Sequence, residues 1–273
     1  MMRPKSPEVV IFGAPLDLTS SYRRGTRFGP QQIREAGECL EDYSIALDRD
    51  VRNIKVIDQG DLELPLGDLE QSLKRIEEAA AMALKKGMPF VALGGEHLIT
   101  LPLVKAALVK HPDLVLLQFD AHADLAESYE GEPLTHATVM RRVAELLESG
   151  CVVQMGIRSA TAEEVAFARG RTRLFPGPPV DVTQVLEILT GKPVYLTIDI
   201  DVVDPAFAPG VSTPEPGGWS SAELFQVLRQ MGDLEVVAMD LVEVCPPSDP
   251  SGITSTLAAK VLREALLTFF YPS

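Results

Sequence analysis

The chain predicts an α/β fold built on a mainly parallel sheet with helices on both faces. Two observations carry this: apolar, β-branched runs alternate with amphipathic stretches from end to end, and no internal repeat, low-complexity tract or long linker interrupts them. The strand runs are Val9 to Ala14, Ile54 to Ile57, Phe90 to Leu93, Leu114 to Phe119, Val152 to Ile157, Val194 to Ile198 and Leu234 to Leu241. Between and after them, apolar residues recur at helical spacing over Gly67 to Lys86, Thr100 to Lys110, Ala137 to Glu148, Ala222 to Met231 and Thr254 to Phe270. The unbroken alternation predicts one domain over residues 1–273, long enough to bury a sizeable core.

Composition narrows the class. Hydrophobic residues make up 46% of the chain, yet no apolar run reaches the ~20 residues of a membrane span, and Met1 to Glu8 carries no signal-peptide pattern. Cys39, Cys151 and Cys245 show no CxxC spacing and cannot all pair, which points to a reducing compartment, the cytoplasm by default. A net charge of -14 argues against a nucleic-acid surface and favours a cationic small-molecule partner.

Six candidate metal ligands fall in three short segments, each directly after a strand run: Gly94-Gly95-Glu96-His97, Asp120-Ala121-His122-Ala123-Asp124 and Asp199-Ile200-Asp201. In open α/β sheets ligands bind outside the carboxyl ends of the strands, so these loops open on one edge. Glu243 ends the Leu234 to Leu241 run in the same manner. Any one aspartate here could simply cap a helix or begin a turn. Together they could not, because clustered carboxylates repel one another and lose hydration unless a cation compensates them. Two imidazoles among four carboxylates form an oxygen-rich set suited to manganese, too large for one catalytic zinc and sufficient for two ions. Two ions at such spacing lower the pKa of a water, so the chemistry indicated is hydrolysis.

With those segments in view, the chain resembles the ureohydrolase superfamily of arginase and agmatinase over nearly its full length. The match covers YRRGTRFGP from Tyr22, GGEHLIT from Gly94, FDAHADL from Phe119, THAT around His136, GIRS from Gly156, DIDVVDPAFAPG from Asp199 and VEVCPP from Val242. The resemblance implies an arginase-like three-layer α-β-α sandwich with about eight strands and two Mn(2+) per chain. It places His97, Asp120, Asp124 and Asp199 on one manganese, and Asp120, His122, Asp199 and Asp201 on the other, with Asp120 and Asp199 bridging. It also implies that Glu243 pairs with the guanidinium, Asp124 handles the nucleophile's proton, and His136 shuttles protons with a pKa near 6.5. Relatives commonly form trimers or hexamers, so a homo-oligomer is expected. Two departures stand near the substrate entrance: Ala137 where many relatives have Gly, and Gly210-Val211-Ser212-Thr213 in place of Gly-Thr-Gly-Thr.

The substrate tail is read from the segment between Asp124 and His136. Arginases carry an asparagine there that binds the amino-acid head group, whereas this chain offers Leu125-Ala126 and then Glu127, Glu130 and Glu132, with no Lys or Arg before Arg141. Carboxylates complement an ammonium tail and repel a carboxylate one. Agmatine, cleaved to putrescine and urea, fits best; N1-aminopropylagmatine follows, then guanidinobutyrate or arginine. The proline-rich loop Asp204 to Gly218 reads as a rigid wall of the site. A dinucleotide-binding protein is disfavoured by the absence of GxGxxG after the first strand, and a single-zinc deacylase by the six-ligand set.

Overall fold

The computed structural model describes residues 8–178 and 181–272, so the expectation for Met1 to Pro7 lies outside the described residues. Among the described residues, ten strands and eight α-helices follow in chain order: β1 (Glu8–Ala14), α1 (Gly29–Gly37), β2 (Tyr43–Ser44), β3 (Arg49–Asp50), β4 (Lys55–Asp61), α2 (Leu69–Lys85), β5 (Phe90–Gly94), α3 (Thr100–Lys110), β6 (Val115–Phe119), α4 (Val139–Leu146), β7 (Val152–Ile157), α5 (Ala162–Arg171), β8 (Arg173–Pro176), α6 (Thr183–Leu189), β9 (Pro193–Asp199), α7 (Ser221–Gln230), β10 (Glu235–Val242) and α8 (Ile253–Phe269). Eight strands form one sheet in the order β4-β1-β5-β10-β9-β6-β7-β8, every pair parallel, and β2 and β3 form a small antiparallel hairpin.

The layers follow from the two-residue period of the strands. Val9 and Ile11 of β1 point into one apolar cluster, which α1, α6, α7 and α8 cover; Val10, Phe12 and Ala14 point into the other, under α2, α3, α4 and α5. This is a three-layer α-β-α sandwich. The central strands are buried on both faces, which is why they read as continuous apolar runs. Large-to-small changes at positions such as Leu196 or Phe119, the latter edge-on to Trp219 at 5.3 Å, should each cost roughly 2–5 kcal/mol.

All seven expected strands form, with ends shifted by a residue or a few. Three helices and three strands went unread. The eighth sheet strand, β8, is a four-residue edge ending in Pro176 and only partly buried, so it lacks the apolar run of its neighbours. Helix α5 holds Gly170 and buries only Glu164 and Ala168, which leaves little apolar periodicity to detect; its start is set by a Thr161/Glu164 capping box.

Candidate metal centre

The ligand-bearing loops leave β5, β6, β9 and β10, and these four strands are consecutive neighbours in the order β5-β10-β9-β6. Because the sheet is parallel, their carboxyl ends share one edge, and side chains distant in sequence meet there. Gly95 makes the first loop possible: a Cβ on it would lie 1.9 Å from the carbonyl oxygen of Leu16, whereas glycine lets the chain run close enough for Gly95 N to donate to Ala14 O and Glu96 N to Leu16 O. His97 follows directly, buried at 1% exposure.

Two tight groups result, His97 with Asp120 and Asp124, and Asp120 with His122 and Asp201. Asp120 is common to both. His97 Nδ1 lies 3.1 Å from Asp120, 3.2 Å from Asp124 and 3.5 Å from Asp199, while His122 Nδ1 lies 2.9 Å from Asp201 and 3.6 Å from Asp120. The carboxylates are braced by main chain: Asp120 accepts from His122 N at 2.6 Å, Asp201 from Ala121 N at 3.0 Å and Asp199 from Asp201 N at 2.9 Å. Arg158 donates to the carbonyls of Asp201 (2.7 Å) and Glu215 (2.7 Å), tying the Asp201 turn to the proline-rich loop, and Thr213 of that loop lines the cavity.

The orientation of His97 is fixed from behind. Thr197 Oγ1 donates to Asp240 at 2.6 Å and therefore accepts from His97 Nε2 at 2.9 Å, which turns the Nδ1 lone pair toward the three carboxylates. Tyr195 and Thr100 also donate to Asp240. A lone pair facing three acidic groups is resolved only by a proton or a cation.

Electrostatics say the same. Burial and the neighbouring Asp201 and Asp120 charges push Asp199 well above the carboxylate range, and burial with Asp120 pushes Asp124 up to about 7. On His122, burial acts downward but is outweighed by the Asp201 and Asp120 carboxylates, which drive it up to about 12; on Asp120, burial is likewise outweighed by both imidazoles, which hold it below its usual range. Buried anions that raise each other's pKa, two imidazoles held in ligating orientation and an oxygen-rich donor set fit a pair of hard divalent cations.

A cavity of about 180 Å³ opens onto the cluster, lined by Ser21, His97, His122, Asp124, Tyr129, His136, Ala137, Asp199, Thr213 and Glu243. Glu243 accepts from His97 N at 2.8 Å through Oε1, its buried Oε2 is left unsatisfied with the Ser212 hydroxyl nearby, and burial raises the carboxyl to about 8. Among the described residues only four non-glycine residues adopt positive φ, and two of them, Asp124 (52°) and Glu243 (65°), stand here, each strained by ~1–3 kcal/mol to aim its side chain inward. His136 sits on a helical turn closed by a Thr135/Thr138 capping box, between Thr19 and Ser21, with Tyr129 edge-on at 5.5 Å. Burial pushes it down to about 4, well below the ordinary value near 6.5 taken from the sequence.

A model of the arginase family matches residues 7–268. The chain belongs to the arginase family. It is a hydrolase acting on linear amidines. The agmatinase of Bacillus anthracis is 47% identical over 264 residues, covering 95% of this chain and 91% of the relative, and that of Bacillus subtilis is 44% identical over 266 residues, covering 96% and 92%. The crystal structure of the agmatine ureohydrolase of Thermoplasma volcanium superposes with a TM-score of 0.85 at 34% identity, covering 96% of this chain and 90% of that one.

Not every residue singled out in the sequence joins the centre of this family member. All six candidate ligands, His136 and Glu243 converge, although Asp199, 3.5 Å from His97 Nδ1, belongs to neither of the two tight groups. Glu130 and Glu132 line an adjoining cavity of about 500 Å³ that shares Ser21 and Tyr129 with the first and also holds Arg24. Glu127 lines neither; it is exposed, with Arg141 at 3.8 Å. Thr19, Ser21, Tyr129, Thr197 and Asp240 were not anticipated. For Asp240 and Thr197 a signal existed, since a polar residue within a fully buried strand must find a partner; for the loop residues none did.

Proposed function

We propose that this chain hydrolyses the guanidino group of agmatine, giving putrescine and urea, at a pair of manganese ions held by His97, Asp120, His122, Asp124, Asp199 and Asp201. The observation that carries the reading is the buried Glu243 carboxyl, its Oε2 unsatisfied, in the same small cavity as the histidine-aspartate cluster: an acid that burial keeps protonated until a cation arrives, beside a site built for hydrolysis. The similarity to the two Bacillus agmatinases supports the choice of substrate. The chemistry such a metal pair supplies is Lewis acidity, which makes a water nucleophilic near neutral pH.

The residues do the rest. Glu243 binds the guanidinium through charge-assisted hydrogen bonds and turns its carbon toward the cluster. Asp124, whose affinity for protons is raised by burial, takes the proton that the attacking water gives up and passes it to the leaving nitrogen, so that the C–N bond breaks toward a neutral amine. His136 is neutral at rest and exchanges protons between that amine and solvent, its ring steered by Thr19 and Ser21. Water and the guanidinium are consumed; urea and a protonated amine leave. Glu130 and Glu132, in the adjoining cavity, receive the ammonium tail, and Glu127 does not. The whole chain acts as a single domain and as a homo-oligomer, a trimer or hexamer. Three unbridged cysteines suit the reducing cytoplasm. Among the described residues no helix is long and apolar enough to cross a membrane.

A urea-release assay of the manganese-loaded protein against agmatine, N1-aminopropylagmatine, arginine and guanidinobutyrate tests the substrate. Agmatine should give the highest kcat/KM; a higher value for either carboxylate-bearing compound would refute the assignment.

A further inference from the structure

The face of the sheet beneath α3 and α4 is largely apolar, and besides the Thr197–Asp240 pair behind His97 it buries two glutamines. Gln118 on β6 and Gln154 on β7 are direct cross-strand partners, and both are fully buried at 0% exposure. Two primary amides in an apolar layer cost several kcal/mol unless every donor and acceptor is met. Here they are met, and in one direction only. Gln118 Nε2 donates to Asp120 Oδ2 at 2.6 Å and to His122 O at 3.3 Å. Both are acceptors alone, so the Gln118 amide oxygen must face away from the cluster, where it accepts from Gln154 Nε2 at 2.7 Å. Gln154 Nε2 also donates to Ala123 O at 2.8 Å, which turns its oxygen toward Thr172, whose hydroxyl donates to it at 2.9 Å.

We infer that Gln118 and Gln154 are positioning residues for the metal centre, a relay that starts at Thr172 beside the edge strand and ends on the carboxylate shared by both ligand groups. Three points of the Asp120–Asp124 loop hang from it: the Asp120 side chain and the carbonyls of His122 and Ala123. Asp120 Oδ2, the oxygen nearest His97, is held in place by the Gln118 amide while Oδ1 is held by His122 N. A carboxylate fixed at both oxygens before the cations arrive needs no reorganisation to bridge them. The relay therefore raises cation affinity without touching a cation. The inference rests on the two-cation reading of the cluster and not on the identity of the substrate.

The test is the affinity of the metal-stripped protein for Mn(II) alone, by competition with a fluorescent chelator, alongside its thermal unfolding without metal and the electron paramagnetic resonance spectrum of the loaded pair. Gln118→Met, which keeps length and removes the amide, should weaken Mn(II) binding 10- to 100-fold, the usual range for a group that supports a ligand. Gln154→Met, one step further from the cluster, should weaken it about 3- to 10-fold. The double variant should match Gln118→Met alone, because both changes break one chain of hydrogen bonds. It leaves no stranded amide, so it remains a valid test should Gln118→Met fold poorly. Gln118→Met or the double variant with parental Mn(II) affinity and an unaltered spectrum, with only the metal-free melting temperature lowered, would reduce the glutamines to core packing and overturn the proposal. Parental activity toward every guanidino compound being absent would bear on the substrate, and leaves this comparison of affinities intact.

Discussion

The ligand cluster and the loop that runs from Glu127 to Glu132 lie a few residues apart in sequence and differ in every physical respect. In the cluster, four carboxylates and the His97 imidazole are buried at the ends of adjacent strands with His122 partly buried beside them, and hydrogen bonds from main chain or side chain brace Asp120, Asp199, Asp201 and His97. In the loop, three carboxylates stand exposed around a tight turn in which Glu130 and Gly131 take positive φ and Tyr129 and Glu132 exchange backbone hydrogen bonds. Burial makes charges consequential, and exposure dilutes them. The difference teaches where chemistry and where selectivity should be sought: the cluster sets what reaction is possible, while the loop can only tilt the choice among similar cations.

Substitutions in the two regions should differ by orders of magnitude. Asp120→Asn, which strips the charge from the one ligand common to both groups, should abolish urea release and lower bound metal at both sites, as measured by elemental analysis; retention of two full equivalents would break the account of a shared ligand. Glu243→Gln keeps the shape of the cavity and should keep both cations, but leaving the guanidinium without its buried counter-ion should lower kcat/KM about 10²- to 10³-fold. His136→Asn should lower kcat by about 10²-fold with metal content unchanged, the contribution of a proton-transfer group; an unaltered kcat would leave His136 a wall of the cavity.

The same contrast has a pH signature. In metal-stripped protein, Asp124 and Glu243 have folded values near 7 and 8, above their ordinary 3.8 and 4.5, and His122 near 12, above 6.5. Groups raised on folding contribute stability at low pH that is lost as pH rises toward the folded value, so between about pH 6.5 and 8.5 His122 lowers stability throughout, Glu243 up to about pH 8 and Asp124 up to about pH 7. His136, lowered to about 4, acts in the opposite sense only below about 6.5. Differential scanning fluorimetry in chelator should show the melting temperature falling by several degrees over that window. Mn(II), which displaces protons from its ligands, should raise it more at pH 8.5 than at 6.5. A flat profile would mean that the cluster is not a store of protons awaiting cations.

Much of this was legible beforehand, for a reason the individual residues make plain. His97, Asp120, His122, Asp124, Asp199 and Asp201 were readable because buried charge at a strand end has few innocent explanations, and the parallel sheet brings strand ends together wherever they fall in the sequence. Glu243 was readable on the same ground. Tyr129, Ser21 and Thr19 were not, because they reach the cavity from loops whose path depends on contacts such as Asp17 accepting from Gly25 N and Ser20 Oγ. The lowered pKa of His136 was equally hidden, since desolvation is a property of the assembled cavity. The edge strand β8 and the helix α5 escaped for want of an apolar pattern, which elements at the margin of a core do not need.

The smallest effects belong to the loop. Glu130→Gln or Glu132→Gln should raise KM for agmatine and lower kcat/KM about 5- to 30-fold, with relaxed discrimination against guanidinobutyrate, whereas Glu127→Gln, already outside both cavities, should change neither. Parental ratios in all three would move recognition of the tail to Tyr129 and Ser21.

The most direct test of a two-cation hydrolase is to titrate Mn(II) into the metal-stripped chain and to follow bound equivalents and urea release from agmatine on the same samples. Activity should lag behind the first equivalent and rise with the second, reaching its plateau at two per chain. Full activity at one equivalent, with the second bound silently or not at all, would contradict the account at its centre.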